Sequence, residues 1–269
     1  MGVAHNTGQN GDRVDGGRAF WLQEALGDAP PEPPLCGADW ADVAIMGGGY
    51  VGLWTAIRSK EKDPGCDVVV LERDVCGGGA SGRNGGMVLS WWQKLSSLLK
   101  ICGEEEALRL GRASEAAIDE IRAFYEANAV DAHFRRGGFL WTARSEAHVG
   151  AWEGVIGLCE RLGVGAFERL DPEEVSRRAG SPTHLAGVFE ANGATVQPAL
   201  LARGLRRVAL EKGVRIHEGT RVLAFDRDRP LAIRTDGGSW PRRSSSWRTA
   251  PGRRACRRCG CQWWWCRAT

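Results

Sequence analysis

Gly47, Gly49 and Gly52 stand in the spacing Gly-x-Gly-x-x-Gly within the run Asp42-Val-Ala-Ile-Met-Gly-Gly-Gly-Tyr-Val-Gly52, and Glu72 follows Gly52 by twenty residues. These residue types at this spacing suit a dinucleotide. Gly47 allows a tight turn, Gly49 lets the backbone approach a pyrophosphate, and Gly52 lets a helix pack closely on a strand. A helix that starts at the turn offers unpaired N–H groups and a partial positive charge to the phosphates. Glu72 can accept hydrogen bonds from ribose hydroxyls. A second glycine-rich stretch, Cys76-Gly-Gly-Gly-Ala-Ser-Gly-Arg-Asn-Gly-Gly86, comes next. It is too rich in glycine for a helix or a central strand and reads as a loop whose backbone approaches a ligand. Ser81, Arg83 and Asn84 are its polar groups, although Arg83 also suits a solvated loop charge. The competing reading of the first motif is a glycine loop in a nucleotide-free parallel sheet.

Several elements must position these residues. The apolar run Val43 to Met46 predicts a strand, the stretch to about Lys62 a helix, and Asp67 to Leu71 a second strand ending at the acid. Residues 1–17 are polar and glycine-rich and read as disordered. Phe20 to Leu26 reads as a short amphipathic turn, and Asp28 to Pro34 as an extended, proline-rich lead-in. Apolar spacing predicts helices over Glu104 to Ala127 and Glu146 to Leu162, with a shorter one over Asp171 to Ala179 opened by Asp-Pro. A proline-started helix over Pro198 to Lys212 should stop at Gly213. Strand material lies at His133 to Ala143 with a Gly137-Gly138 break, at Leu185 to Glu190 and at Val214 to His217. An antiparallel pair, Arg221 to Asp226 with Leu231 to Thr235, surrounds Arg227-Asp-Arg-Pro230. No internal repeat is read from the chain.

Composition narrows the class. At 269 residues, 43% hydrophobic and 26% charged, the chain has the profile of a soluble globular protein with one large or two small domains. No apolar run approaches the ~18–20 residues that span a bilayer, and the N-terminus lacks an apolar stretch of the secretory kind, so a cytoplasmic location is expected. The net charge of +3 is too small to point to nucleic acid. It is also uneven: Ser239 to Thr269 holds eight arginines and no acid, so residues 1–238 carry 28 basic against 33 acidic groups. Cys36, Cys66, Cys76, Cys102 and Cys159 are scattered, as reduced structural thiols are. His133, His184 and His217 show no metal or general-base pattern, no metal is expected, and no residue is assigned as a catalytic acid or base. Trp91-Trp92 reads as a packing pair and Arg135-Arg136 as exposed.

Together the pieces resemble the FAD-dependent oxidoreductases of the D-amino-acid oxidase type, a family that includes glycine and sarcosine oxidases, and within it the γ-glutamylputrescine oxidase-like branch. The matching stretches are Asp42 to Gly52 with Glu72, Gly79-Ala-Ser-Gly-Arg-Asn-Gly-Gly86, and Thr195-Val-Gln-Pro198 through His217-Glu-Gly-Thr-Arg-Val222. The resemblance covers about residues 20–238. It implies an α/β fold: an incomplete Rossmann-like FAD-binding domain, a parallel sheet with helices, plus part of a mixed-sheet substrate domain. The expected organisation is a lead-in over 1–38, the first half of the FAD domain over 39–90, substrate-domain material over 91–190 and a return to the FAD domain over 191–238. Gly47, Gly49 and Gly52 would face the pyrophosphate and Glu72 the adenosine ribose. Ser81, Gly82, Arg83 and Asn84 would line the pyrophosphate and flavin side, and the backbone of Val222 would pair with adenine. The implied reaction removes hydride from a C–N bond of a small amine or amino acid. The glycine loop has no histidine, so the FAD is expected to be non-covalent. The substrate, the choice between oxidase and dehydrogenase, and the oligomeric state stay open.

The last residues depart from this pattern. Ser239 to Thr269 is basic and rich in tryptophan and cysteine, and Cys256-x-x-Cys259-x-Cys261 lacks the paired spacing of a zinc site. A basic, tryptophan-rich tail can contact nucleic acid or anionic membrane, but neither partner is expected here. A shift of reading frame near Gly238 accounts for the composition: tryptophan is always TGG, so Gln262-Trp-Trp-Trp-Cys266 reads as four valines one base earlier, and Ser244 to Ser246 become aliphatic residues or phenylalanine. That text has the character of a buried strand, and the expectation is a C-terminally truncated family member. Resequencing codons 230–269 tests the shift. Two other functions compete with the oxidoreductase: a non-catalytic dinucleotide-binding protein, and an interaction protein that uses the basic tail.

Overall fold

The computed structural model describes residues 18–27, 30–225 and 232–239. The predicted disordered start, the Arg227–Pro230 turn and the tail from Trp240 lie outside these residues. In chain order the elements are α1 (Phe20–Leu26), β1 (Gly37–Ala38), β2 (Val43–Met46), α2 (Tyr50–Lys62), β3 (Val68–Leu71), β4 (Met87–Val88), α3 (Leu95–Cys102), α4 (Glu104–Ala127), β5 (Phe139–Ala143) and α5 (Glu153–Arg161). They continue with β6 (Glu168–Leu170), α6 (Pro172–Ala179), β7 (Ala186–Glu190), β8 (Ala194–Thr195), α7 (Pro198–Glu211), β9 (Arg215–His217), β10 (Val222–Phe225), β11 (Ile233–Thr235) and β12 (Gly238–Ser239). The described residues fall into two compact units, one of 30–76 with 208–225 and 232–239, and the other of 18–27 with 77–207.

The first unit holds the parallel sheet β2-β3-β9. Its middle strand reads Val-Val-Val-Leu and is buried along its whole length, as a parallel strand covered on both faces must be. α2 buries Leu53, Ala56 and Ile57, a stripe at helical spacing. A second sheet, ordered β1-β12-β11-β10, pairs β1 with β12 in parallel and β10 with β11 antiparallel. Leu35, Val69, Leu71 and Ile233 form one core cluster of this unit, with Val222 and Phe225 packed against it. Arg215 bridges Asp39 and Asp67, which ties β9 to the segments before β2 and β3.

In the second unit β5, β7 and β6 form an antiparallel sheet, β4 pairs with β8, and the helices α3, α4 and α5 pack around Trp92, Leu95, Ala107 and Cys159. Trp92 is 1% exposed and its ring lies where a Cβ on Gly111 of α4 would sit, whereas Trp91 is 49% exposed. Only one member of the expected packing pair is therefore buried. Asp171 caps α6 by accepting from the Glu174 amide at 2.8 Å, and Gly180 ends it in the left-handed conformation, as Asp-Pro and Gly predict.

Three readings need correction. The helix expected over Glu146 to Leu162 is a single 3-10 turn at Glu146–His148 and then α5, because Gly150 at φ +78° breaks the run. The strand expected from His133 begins only at Phe139, and the preceding residues contribute one bridge, Arg135 to Thr195. α3 and β6 have no counterpart in the sequence reading.

Candidate functional site

At the C-terminal end of β2 the chain reverses into α2 through Gly47, Gly48 and Gly49. The Gly47 amide donates to the Leu71 carbonyl at 2.9 Å, and its φ of +102° is open to glycine at little cost. A Cβ on Gly52 would lie 2.0 Å from the Gly47 carbonyl oxygen, so only glycine lets the first turn of α2 close over the loop. Gly49 is the N-cap, no side chain caps the helix, and its first turn holds no acid. A helix start with neither a side-chain cap nor an acid is the arrangement that receives phosphate.

Glu72 closes the other side. Its carboxylate accepts from the Gly48 amide at 2.6 Å and from the Asp74 amide at 3.0 Å. Its own amide donates to the His217 carbonyl at 2.9 Å, and its carbonyl accepts from Thr220 at 2.7 Å. Fingerprint turn, acid and the approach to β10 thus converge at the C-terminal ends of β2, β3 and β9, where open α/β sheets bind their ligands. At β10, the Asp236 amide donates to the Arg221 carbonyl at 3.1 Å, and the Arg221 amide to the Asp236 side chain at 2.9 Å. Strand alternation then turns the N–H and C=O of Val222 away from β11, toward the outer edge of that sheet.

A buried acid holds this corner together and was not singled out from the sequence. Glu218 is 1% exposed; it accepts from the Cys76 amide at 2.6 Å and from the Glu32 amide at 2.7 Å. Beside it, Thr220 Oγ1 accepts from the Leu35 amide at 2.9 Å. His217 Nδ1 lies 3.1 Å from the Pro33 carbonyl oxygen. The available signal was an acid directly after the short strand Arg215–His217, in His217-Glu-Gly-Thr220.

The second glycine stretch lies in the other unit and repeats the first in miniature. Gly77-Gly-Gly79-Ala-Ser-Gly82 has the same Gly-Gly-Gly-x-x-Gly pattern as Gly47 to Gly52. Gly77 sits at φ +84°, a Cβ on Gly82 would lie 2.3 Å from the Gly77 carbonyl oxygen, and Gly79 caps a 3-10 turn over Ala80–Gly82. Its polar residues are turned onto the loop itself. Arg83 Nε donates to the Gly78 carbonyl at 2.8 Å, and Asn84 Nδ2 to the carbonyls of Ala80 and Ser81 at 3.0 Å each. Asn84 Oδ1 accepts from the Gly86 amide at 2.8 Å. Gly86, at φ +71°, leaves the loop for β4 in such close approach to Val196 that a Cβ would lie 2.0 Å from its carbonyl oxygen.

Arg135 and Arg136 are exposed, with Arg136 paired to Asp119 at 2.8 Å. His184 faces Thr142 Oγ1 at 2.8 Å. Among the described residues no group of histidine, cysteine and acidic side chains could hold a metal. Burial, with Glu190 and Glu160 nearby, pushes the Cys159 thiol up to about 11.

The profile of the DAO family, described as FAD dependent oxidoreductase, matches residues 42–246. The chain belongs to this family. Among curated relatives, the gamma-glutamylputrescine oxidoreductase of Escherichia coli (strain K12) is 32% identical over 198 residues, 73% of this chain and 46% of its own. A probable oxidoreductase, OrdL, of Rhizobium meliloti (strain 1021) is 30% identical over 211 residues, 77% of this chain and 48% of its own. This member of the DAO family therefore spans about half the length of the curated relatives it matches. Its fold is shared with glycine oxidase from Bacillus cereus ATCC 14579 (TM-score 0.61, 20% identity, 75% of this chain and 53% of that one). It is shared also with L-amino acid deaminase from Proteus myxofaciens (TM-score 0.63, 21% identity, 78% and 46%). As a fold, then, the chain is α/β, with a Rossmann-like parallel sheet and helices beside a separate antiparallel sheet.

Proposed function

We propose that the chain carries FAD-binding elements of an oxidoreductase that oxidises a C–N bond of a small amine or amino acid by hydride transfer to flavin. The observation that carries this reading is the family match over 42–246 coinciding with a dinucleotide turn built for close approach. The names of its relatives point the same way, toward an amine or amino-acid substrate: gamma-glutamylputrescine oxidoreductase, glycine oxidase and L-amino acid deaminase.

FAD, when bound, supplies a two-electron acceptor for the hydride. The chain's own residues fit such a group: Gly52 keeps the space that a Cβ would fill, and α2 starts at Gly49 with no side-chain cap and no acid in its first turn. In this reading Gly47, Gly49 and Gly52 present backbone to the pyrophosphate, Glu72 accepts from the ribose, and the outward N–H and C=O of Val222 pair with adenine. Ser81, Gly82, Arg83 and Asn84 contribute on the pyrophosphate and flavin side, through a backbone that Arg83 and Asn84 fix. The substrate would lose hydride from the carbon beside nitrogen and a proton from the nitrogen, becoming an imine that water hydrolyses. We assign the FAD-binding domain to 39–90 and 191–238, attachment as non-covalent, and location as cytoplasmic. No helix among the described residues is long and apolar enough to cross a membrane.

Purified full-length chain should be yellow, absorbing at about 450 nm, and should release free flavin on denaturation. Colourless protein that binds adenine nucleotides would instead establish the non-catalytic dinucleotide-binding reading. Colour that stays with the denatured polypeptide would overturn non-covalent attachment.

A further inference from the structure

Gly48 stands at a position that the Gly-x-Gly-x-x-Gly spacing leaves open to any residue, and it is glycine for a local reason. Unlike Gly47, it is not at positive φ, so its backbone makes no demand for glycine. The space beside it is already filled. A Cβ on Gly48 would lie 2.4 Å from Cys76 Sγ and 3.2 Å from Glu72 Cβ, and Cys76 is fully buried. The Gly48 amide meanwhile donates to Glu72 Oε2 at 2.6 Å. A thiol by packing and a carboxylate by hydrogen bonding thus hold the same residue of the turn.

The segment Glu218-Gly-Thr220, in the same compact unit, fixes the thiol in turn. The Thr220 amide donates to the Glu72 carbonyl at 2.7 Å and the Gly219 amide to the Asp74 carbonyl at 2.8 Å. Glu218 completes the series with its side chain, Oε1 accepting from the Cys76 amide at 2.6 Å. Its Oε2 accepts from the Glu32 amide at 2.7 Å. Two amides on separate oxygens require a carboxylate, because a glutamine would turn its NH2 toward one of the two N–H groups. We propose that Glu218 and Cys76 are positioning residues of the dinucleotide site. The carboxylate fixes the Cys76 backbone, and the thiol, packed where a side chain at position 48 would go, sets the Gly48 amide and the turn around it. Glycine at 48 is therefore matched to cysteine at 76. The role at a ligand site rests on the dinucleotide reading given above; the match between the two positions does not.

The test measures adenosine and ADP binding by calorimetry on the full-length chain freed of flavin, with amide exchange at position 48 read without ligand. The unaltered chain should prefer ADP, because the fingerprint turn serves the phosphates. Gly48→Ala should cut that preference by at least about tenfold and lower the melting temperature, and adding Cys76→Ala should restore most of both. Glu218→Gln should reduce the preference for ADP in the same direction and speed exchange of the Gly48 amide by about tenfold. A purely structural role would instead weaken adenosine and ADP in equal proportion, and that result overturns the proposal. So does a Gly48→Ala chain that is no better with Cys76→Ala than without it. Should Glu218→Gln fail to fold, the Gly48 and Cys76 variants carry the test. A chain that binds neither ligand overturns the dinucleotide reading, and the match of 48 to 76 then stands or falls on the unliganded melting temperatures.

Discussion

The turns at Gly47–Gly52 and Gly77–Gly82 use one backbone device with different supports. Both place the first glycine at positive φ, both leave no room for a Cβ on the last, and both cap a helical turn with the third. The first opens a helix of 13 residues and is braced from outside by Glu72, whose carboxylate reaches the Gly48 amide. The second opens a three-residue 3-10 turn and is braced from within, by Arg83 and Asn84. A long helix and a neighbouring strand can hold a glycine turn in shape. Where neither is present, side chains of the loop must do so.

The largest effect should come from the close approaches. Gly52→Ala sets a methyl against a backbone oxygen that cannot swing aside, and should cost about 3 kcal/mol or more of stability, read as a lower urea midpoint. Gly82→Ala, with 2.3 Å in place of 2.0 Å, should cost about 2 kcal/mol. If Gly82→Ala is silent, the two turns are alike in sequence only. Next, Asn84→Ala removes three hydrogen bonds and should loosen the second loop by about 1–2 kcal/mol, seen as faster amide exchange over 78–86. An unchanged exchange rate there would break the claim that the loop is braced from within.

A smaller effect reads the second unit by itself. The Cys159 thiol is raised from 9.0 to about 11, so the native state holds this proton more tightly than the unfolded chain does. Its contribution to stability is complete below about 9 and is lost as pH rises through about 11. Alkylation of native protein at Cys159 should stay slow up to that range, and rapid labelling near neutral pH would show that the unit opens. Gly79→Ala should do least. Nothing lies within 4 Å of the added methyl, φ is −85°, and the change should stay within about 0.5 kcal/mol.

How legible this was in the sequence depended on the range of the contacts. β2, α2 and α4 match their predicted limits, because each carries its own periodicity and stop signals. α3 was legible as well: Leu95, Leu98, Leu99 and Cys102 fall at helical spacing. β6 was not, since Glu-Arg-Leu has no pattern and becomes a strand only through its pairing with β7. At the candidate site the glycines and Glu72 were readable from spacing. The Glu218 bonds to Glu32 and Cys76 were not, because they join residues 186 and 142 positions apart. The likeness of the two glycine turns was present in the letters and became visible only through their shared dihedral angles.

The pairing of β3 with β9 has a consequence during synthesis. Leu71 meets His217 only after another 146 residues have been made. At ~5–20 residues per second a ribosome takes roughly 7–30 s over that interval. The nascent fingerprint strands wait through it with one side of β3 bare, while Gly77 to Arg207, contiguous in the chain, can collapse as soon as it emerges. The half that carries the dinucleotide turn is therefore the half that a chaperone would have to guard.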